Sequence, residues 1–267
     1  MSSPFRDPTI VSPTIAPLLE SMLASPRPAY AHAARFAREE IEARSLIGIQ
    51  TSTEAFWIRS RARGAPVLTA AAGAHVQTHN LRSSPRSARD ILCWVVVQDG
   101  FTGGAMVMAH ELCHMKNRFA VWQLAQQPPD LVDLALGDGF SREQLGWVRA
   151  TFVNEVAARH VAYLGEANVR PGETPMPEKG SLVGCATTIA RYPAIYNDCG
   201  VMQRLLNLRD ENLLRDQVGR WFAGLRGFTF FAPDSPFHEA HVAFLEAEIE
   251  HASMGHRVPW VVGDGTL

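Results

Sequence analysis

Lysine is nearly missing from this 267-residue sequence: of 25 basic residues only Lys116 and Lys179 are lysines. Against 27 acidic residues the formal net charge is -2. The chain therefore lacks the positive excess with which proteins follow a phosphate backbone or an anionic lipid surface, and neither partner is expected. Long apolar runs are missing too. The longest, Ile91 to Val97, falls far short of the roughly 18 residues that cross a bilayer, so no membrane span is expected.

Cysteine is sparse. Cys93, Cys113, Cys185 and Cys199 form no C-x-x-C pair and no dense cluster, which excludes the disulfide framework of small secreted domains. Reduced thiols in a cytoplasmic protein are the expectation, with a Cys185–Cys199 disulfide left open. Cys113 reads as a small buried hydrophobe.

What is present is a globular composition. Hydrophobic residues make up 46% of the chain and charged residues 19%, enough apolar material to bury a core and too little charge for disorder throughout. Residues 1–28 carry Ser12-Pro13, Ser25-Pro26 and Arg27-Pro28 without sustained periodicity and read as a flexible lead to a single domain over 29–267. The stretch Thr9 to Ala24, followed by Ala29-Tyr30-Ala31, has some character of an export signal, but Pro13, Pro17 and Glu20 interrupt it. Cytoplasmic localisation is expected, with export lacking a classical signal as the alternative.

Ala29 to Ala43, rich in alanine with paired charges, predicts a helix with an exposed face. Ala65 to Ala71 and Ile91 to Gln98 read as strands separated by a polar stretch. After Gly103-Gly104, Ala105 to Ala125 runs without glycine or proline as a helix. Pro128-Pro129 ends it, and a further helix should run from Ser141 to about Leu164. Beyond the loop around Arg170-Pro171-Gly172, helices are expected over Leu182 to Ala190, Val201 to Leu225 and Pro236 to Ala252. The fold class is α+β: a small N-terminal sheet, a central helix and a mainly helical C-terminal half.

One pattern carries chemistry. His110-Glu111-Leu112-Cys113-His114 is H-E-x-x-H within a helix, so the two imidazoles, four residues apart, share a face and can share a metal. Glu111 lies off that pair, where it can serve as a base beside the open coordination position. The preceding Gly104-Ala105-Met106-Val107-Met108-Ala109 is uncharged, as befits a buried helix lining an internal cleft.

With Val107, Leu112, Cys113 and Met115 around the two histidines, the stretch resembles the zincin metallopeptidases; Lys116 departs, since a hydrophobic residue is usual there. The resemblance covers about 50 residues. It implies a zinc-dependent hydrolase of peptide bonds acting on a peptide or protein substrate, with zinc held by His110, His114 and a third ligand. The metzincin form needs Gly and His where this chain has Asn117 and Ala120, and is excluded. The gluzincin form takes a Glu from a following helix, and Asn154-Glu155-Val156-Ala157-Ala158 resembles that helix, implying Glu155 as third ligand. Asp138, in Gly137-Asp138-Gly139, is the rival, although that tripeptide is already explained as a turn. Arg159 stands where some gluzincins place an Asp that orients the first histidine.

The resemblance further implies an oxyanion donor from the C-terminal half, for which Tyr196 is the choice and Tyr192, Arg191, His238 and His241 the alternatives. It also implies that a substrate aligns along Ile91 to Gln98 or Ala65 to Ala71. His75 and His79 read as loop residues, and His160 as a helical histidine outside the site. Two other readings compete: a non-catalytic module with a closed structural zinc site, in which Glu111 has no role, and a metal-free helical interaction protein. Oligomeric state is not legible in the sequence.

Overall fold

The computed structural model describes residues 4–45, 47–51, 74–101, 103–127, 141–166 and 168. At its centre is β3 (Ile91–Val97), in which every residue except Leu92 is buried. A strand covered on both faces has no solvent side, so it reads as a continuous Ile/Leu/Val run and not as an alternation. It is flanked by β1 (Ile47–Thr51), parallel to it with Ile47 opposite Cys93, and by β2 (Ala74–Asn80), antiparallel with Asn80 opposite Ile91. The order is β1-β3-β2.

Two of these placements correct the sequence reading. β2, with His75, Gln77, Thr78 and His79, has too little apolar character to be read as a strand, and both histidines belong to it, not to a loop. Its strand state comes from pairing with β3, a long-range contact that local propensity does not encode. Ile91–Val97, expected as an edge along which a substrate might lie, is the central strand. Both of its edges are hydrogen-bonded already. The stretch Ala65 to Ala71 lies outside the described residues.

Residues 4–28 belong to the stretch expected as a flexible lead. Pro4–Arg6 form a short 3-10 turn, and residues 10–12 run along the outer edge of β1: the Ile49 amide donates to Ile10 O at 2.7 Å, and the Ser12 amide donates to Ile49 O at 2.8 Å. Helix α1 (Ala16–Leu23) follows. Pro17, which reads as a breaker, sits in its first turn, where a missing amide hydrogen costs nothing. Phe5, Val11, Ile15, Leu19 and Met22 are all buried, so this segment is part of the core.

Helix α2 (Pro28–Glu42) buries Ala29, Ala33, Ala34, Ala37 and Ile41. This small-residue stripe lets it lie close to its neighbours, with Arg35, Glu39 and Glu42 exposed on the other side. Helix α3 (Ala105–Ala125) packs on β2, β3 and α2, and helix α4 (Arg142–Glu166) packs along α3. One face of the sheet, through Ile47, Ile49, Cys93, Val95 and Val97, joins these helices in the main core; Trp94 and Val96 point to the opposite face. The architecture is α+β, and the C-terminal helices expected beyond residue 168 lie outside the described residues.

Two devices fix α3. Arg118, its side chain 1% exposed, donates from Nη2 to Glu40 Oε2 on α2 at 2.7 Å, from Nε to Ala88 O before β3 at 3.1 Å, and from Nη1 to Met115 O at 2.9 Å. The guanidinium thus ties the metal-motif helix to α2 and to the sheet one turn beyond His114. At the far end, Arg149 Nη2 donates to Leu124 O and Gln127 O, tying α4 to the end of α3. Gly146 lets α4 approach there, since a Cβ at this position would stand 2.2 Å from Ala125 O.

Candidate metal centre

His110 and His114 stand one turn apart on α3, 19% and 13% exposed, and their Nε2 atoms are 3.0 Å from each other. Their rings meet edge to face at 85°. From α4, Glu155 brings a carboxylate whose side chain is 5% exposed: Oε2 is 3.2 Å from His114 Nε2, and Oε1 is 3.6 Å from His110 Nε2. The helix pattern explains the meeting. Buried Ala150, Val153, Ala157, Ala158 and Val161 put α4 against the core, and Glu155 lies in the same buried stripe.

These residues fit a metal. Each offers one ligand atom, and all three atoms lie within 4.8 Å of one another. Ligands about 2.0–2.1 Å from a tetrahedral zinc stand about 3.3–3.4 Å apart, and the separations of 3.0, 3.2 and 3.6 Å bracket that spacing. Three converging lone-pair donors of this type, two imidazoles and a carboxylate, make a set that leaves a fourth position open.

Glu111 is 6% exposed, and its Oε2 has no hydrogen-bond partner among the described residues. A buried carboxylate oxygen without a partner is costly. Burial pushes the Glu111 pKa up; His114 and His110 pull against this, and Glu155 reinforces it. For Glu155 burial also acts upward, but the charges and hydrogen bonds of His110 and His114 outweigh it and hold the carboxyl well below its usual range. His114 is the converse: burial would depress it, and its bond to Glu155, with the charges of Glu155 and Glu111 and the nearby Asn154, raises it above the usual value.

Around the site, the Asn117 amide donates to Asn154 Oδ1 at 3.1 Å, joining α3 to α4 beside the three metal-competent groups. Arg159 Nε donates to Glu155 Oε1 at 3.3 Å. Cys113, inside the motif, is fully buried, and burial pushes its thiol pKa up; Cys93 is likewise buried and raised to about 12. Both are free thiols that behave as core hydrophobes. Lys116, the residue that departs from the motif, sets its ammonium 5.8 Å from the centre of the Phe36 ring, so its stem covers apolar surface much as a hydrophobic residue would.

Of the residues singled out from sequence, His110, His114 and Glu155 are brought together, and Glu111 lies next to His110 on α3. Asp138, Arg191, Tyr192, Tyr196, His238 and His241 lie outside the described residues, as do Cys185 and Cys199. His160 belongs to α4, and His79 is exposed on β2. Sequence reasoning missed Arg159 as a partner of Glu155, although the i,i+4 spacing of opposite charges was a visible signal. It also missed Asn117 and Arg118, whose partners are distant in the chain. Among the described residues no helix is long and apolar enough to cross a membrane. Comparison with protein-family models, with curated proteins and with solved structures finds no match to this chain.

Proposed function

We propose that this chain is a zinc-dependent metallopeptidase of the zincin type, gluzincin-like in drawing its third ligand, Glu155, from a second helix. The observation that carries the reading is the convergence of His110, His114 and Glu155 within 4.8 Å, the two histidines on a helix that also carries the buried Glu111, whose Oε2 has no hydrogen-bond partner among the described residues. In this reading the domain spans residues 29–267, with residues 4–23 packed on it.

A zinc ion held by the three residues would supply a Lewis acid and an acidified water at the open position. Everything else falls to the chain. Glu111, buried and with no hydrogen-bond partner for Oε2 among the described residues, takes a proton at that oxygen and returns it to the leaving amine. Leu112, Cys113 and Met115 on the same helix are fully buried, so this part of α3 is closed to bulk water. The Asn117–Asn154 bond joins the two helices that carry the histidines and Glu155. Tyr196 is proposed to donate a hydrogen bond to the oxyanion that forms as the amide carbonyl is attacked. The substrate class is a peptide or protein, and the setting proposed is the cytoplasm.

A closed structural zinc site would need a fourth protein ligand and would leave Glu111 idle. An unbiased peptide pool incubated with the zinc-loaded protein separates the two. Cleavage abolished by a chelator and restored by zinc supports the peptidase. Stoichiometric zinc with no cleavage of any pool member refutes it in favour of a binding module.

A further inference from the structure

The proposed chemistry leaves one charged residue at the site without a task. Arg159 lies one turn beyond Glu155 on α4, and its Nε donates to Glu155 Oε1 at 3.3 Å. The other carboxylate oxygen, Oε2, is the one nearer a histidine, 3.2 Å from His114 Nε2 against 3.6 Å between Oε1 and His110. We infer that Arg159 is a positioning residue that makes Glu155 a one-oxygen metal ligand, engaging Oε1 so that Oε2 is the atom presented to the ion. The inference deepens the metallopeptidase reading and rests on its metal site, not on its substrate.

The physical argument starts from the carboxylate's freedom. A glutamate turning about its last torsion can present one oxygen or both, and a second oxygen would consume the position that a catalytic site must keep open. Something must hold one oxygen back. Glu155 is 5% exposed, so water is poorly placed to do it. A helical i,i+4 partner does it at little conformational cost, because the backbone fixes the spacing, and the planar guanidinium gives its bond a direction that a point charge lacks.

Arg159 also brings a positive charge toward a cation, which by itself would weaken metal binding. The magnitudes favour orientation. The Arg159 side chain is 36% exposed, so its charge is screened by solvent, whereas the bond it makes is to a buried oxygen. Partners that orient a ligand are commonly worth about 10–100-fold in metal affinity. Loss of Arg159 should therefore weaken binding, where a purely repulsive charge would tighten it on removal.

The test uses the full chain and its Arg159→Ala and Arg159→Lys variants, with Co2+ as an optical probe and Zn2+ measured by chelator competition. The wild-type protein should bind Co2+ with the strong visible absorption of a four-coordinate site. In Arg159→Ala, Glu155 is released to bind through both oxygens, so the cobalt bands should weaken and shift toward higher coordination. Zinc affinity should drop about 10–100-fold. Arg159→Lys should recover part of both, since an ammonium at the same spacing reaches Oε1. An Ala variant with the wild-type spectrum and affinity, or with tighter zinc binding, overturns the inference while leaving the metal site standing. Wild-type protein that takes up neither ion removes the site itself, and the inference with it. Circular dichroism and unfolding midpoints recorded on the same samples identify any variant that is misfolded, and Arg159→Lys then carries the comparison.

Discussion

Gly146→Ala should destabilise the protein and loosen the proposed metal site, against the usual effect of this substitution in a helix. Alanine in place of a helical glycine ordinarily gains about 0.5–1 kcal/mol. Here the new Cβ would stand 2.2 Å from Ala125 O and 3.1 Å from its carbonyl carbon. The obstacle is backbone, which no rotamer change can clear. Restoring even a 3.0 Å contact means parting the two helices by at least 0.8 Å at the crossing. Such overpacking costs about 1–3 kcal/mol. The helical gain offsets part of this, leaving a net loss of about 0.5–2 kcal/mol and a fall of about 1–8 °C in midpoint for a domain of this size.

The functional consequence is larger, because α4 carries Glu155 about 13 Å further along the same rigid rod and metal–ligand distances tolerate only about 0.2 Å. Zinc affinity should fall at least about tenfold. Thermal unfolding of the metal-free protein and a chelator titration of the loaded one read the two effects separately. Gly104→Ala is the control, since nothing stands within 4 Å of a Cβ at that position. A Gly146→Ala protein with a raised midpoint and wild-type zinc affinity would refute the account of how α4 delivers Glu155.

Three further outcomes follow from the geometry. Arg118→Ala should cost about 3–5 kcal/mol in urea unfolding, because it strands the Glu40 carboxylate and the Ala88 carbonyl, and Arg118→Met with Glu40→Met should recover most of that loss. Metal affinity should fall on acidification. Ligation needs a neutral imidazole, and Glu155 holds the His114 proton above the usual value near 6.5 despite burial. Binding is therefore full well above that raised value and is lost as the pH falls through it, which chelator titrations between about pH 8 and about pH 6 would follow; affinity flat across that range contradicts the assignment. Tyr196→Phe should lower kcat by about 10²–10³ with zinc content unchanged, whereas unchanged turnover with a small loss of stability would make Tyr196 a core residue.

The parts of the fold legible in the sequence are those with local causes. Ala105–Ala125 was readable because glycines precede it, prolines follow it and nothing within breaks it; the two histidines inherit their common face from that helix. Glu155 was readable less directly, through resemblance and the small residues beside it. β1 and β2 were not readable, since five mostly buried residues and a polar heptad become strands only against β3. In the N-terminal segment Pro17 and Pro28, which read as breakers, stand at the start of helices. Arg118, Asn117 and Gly146 act through partners on other elements, and no window of sequence contains those pairs. The rival third ligand Asp138 and the oxyanion donor belong to segments outside the described residues.

The central claim is that Glu111 works on a proton beside a metal it does not bind. The most direct test is zinc content and peptide-pool turnover of the wild type and Glu111→Gln, measured on matched preparations. The variant should carry about one zinc per chain, as the wild type does, fold normally and lose turnover. Loss of zinc would make Glu111 a ligand, and full turnover would move the chemistry to another site.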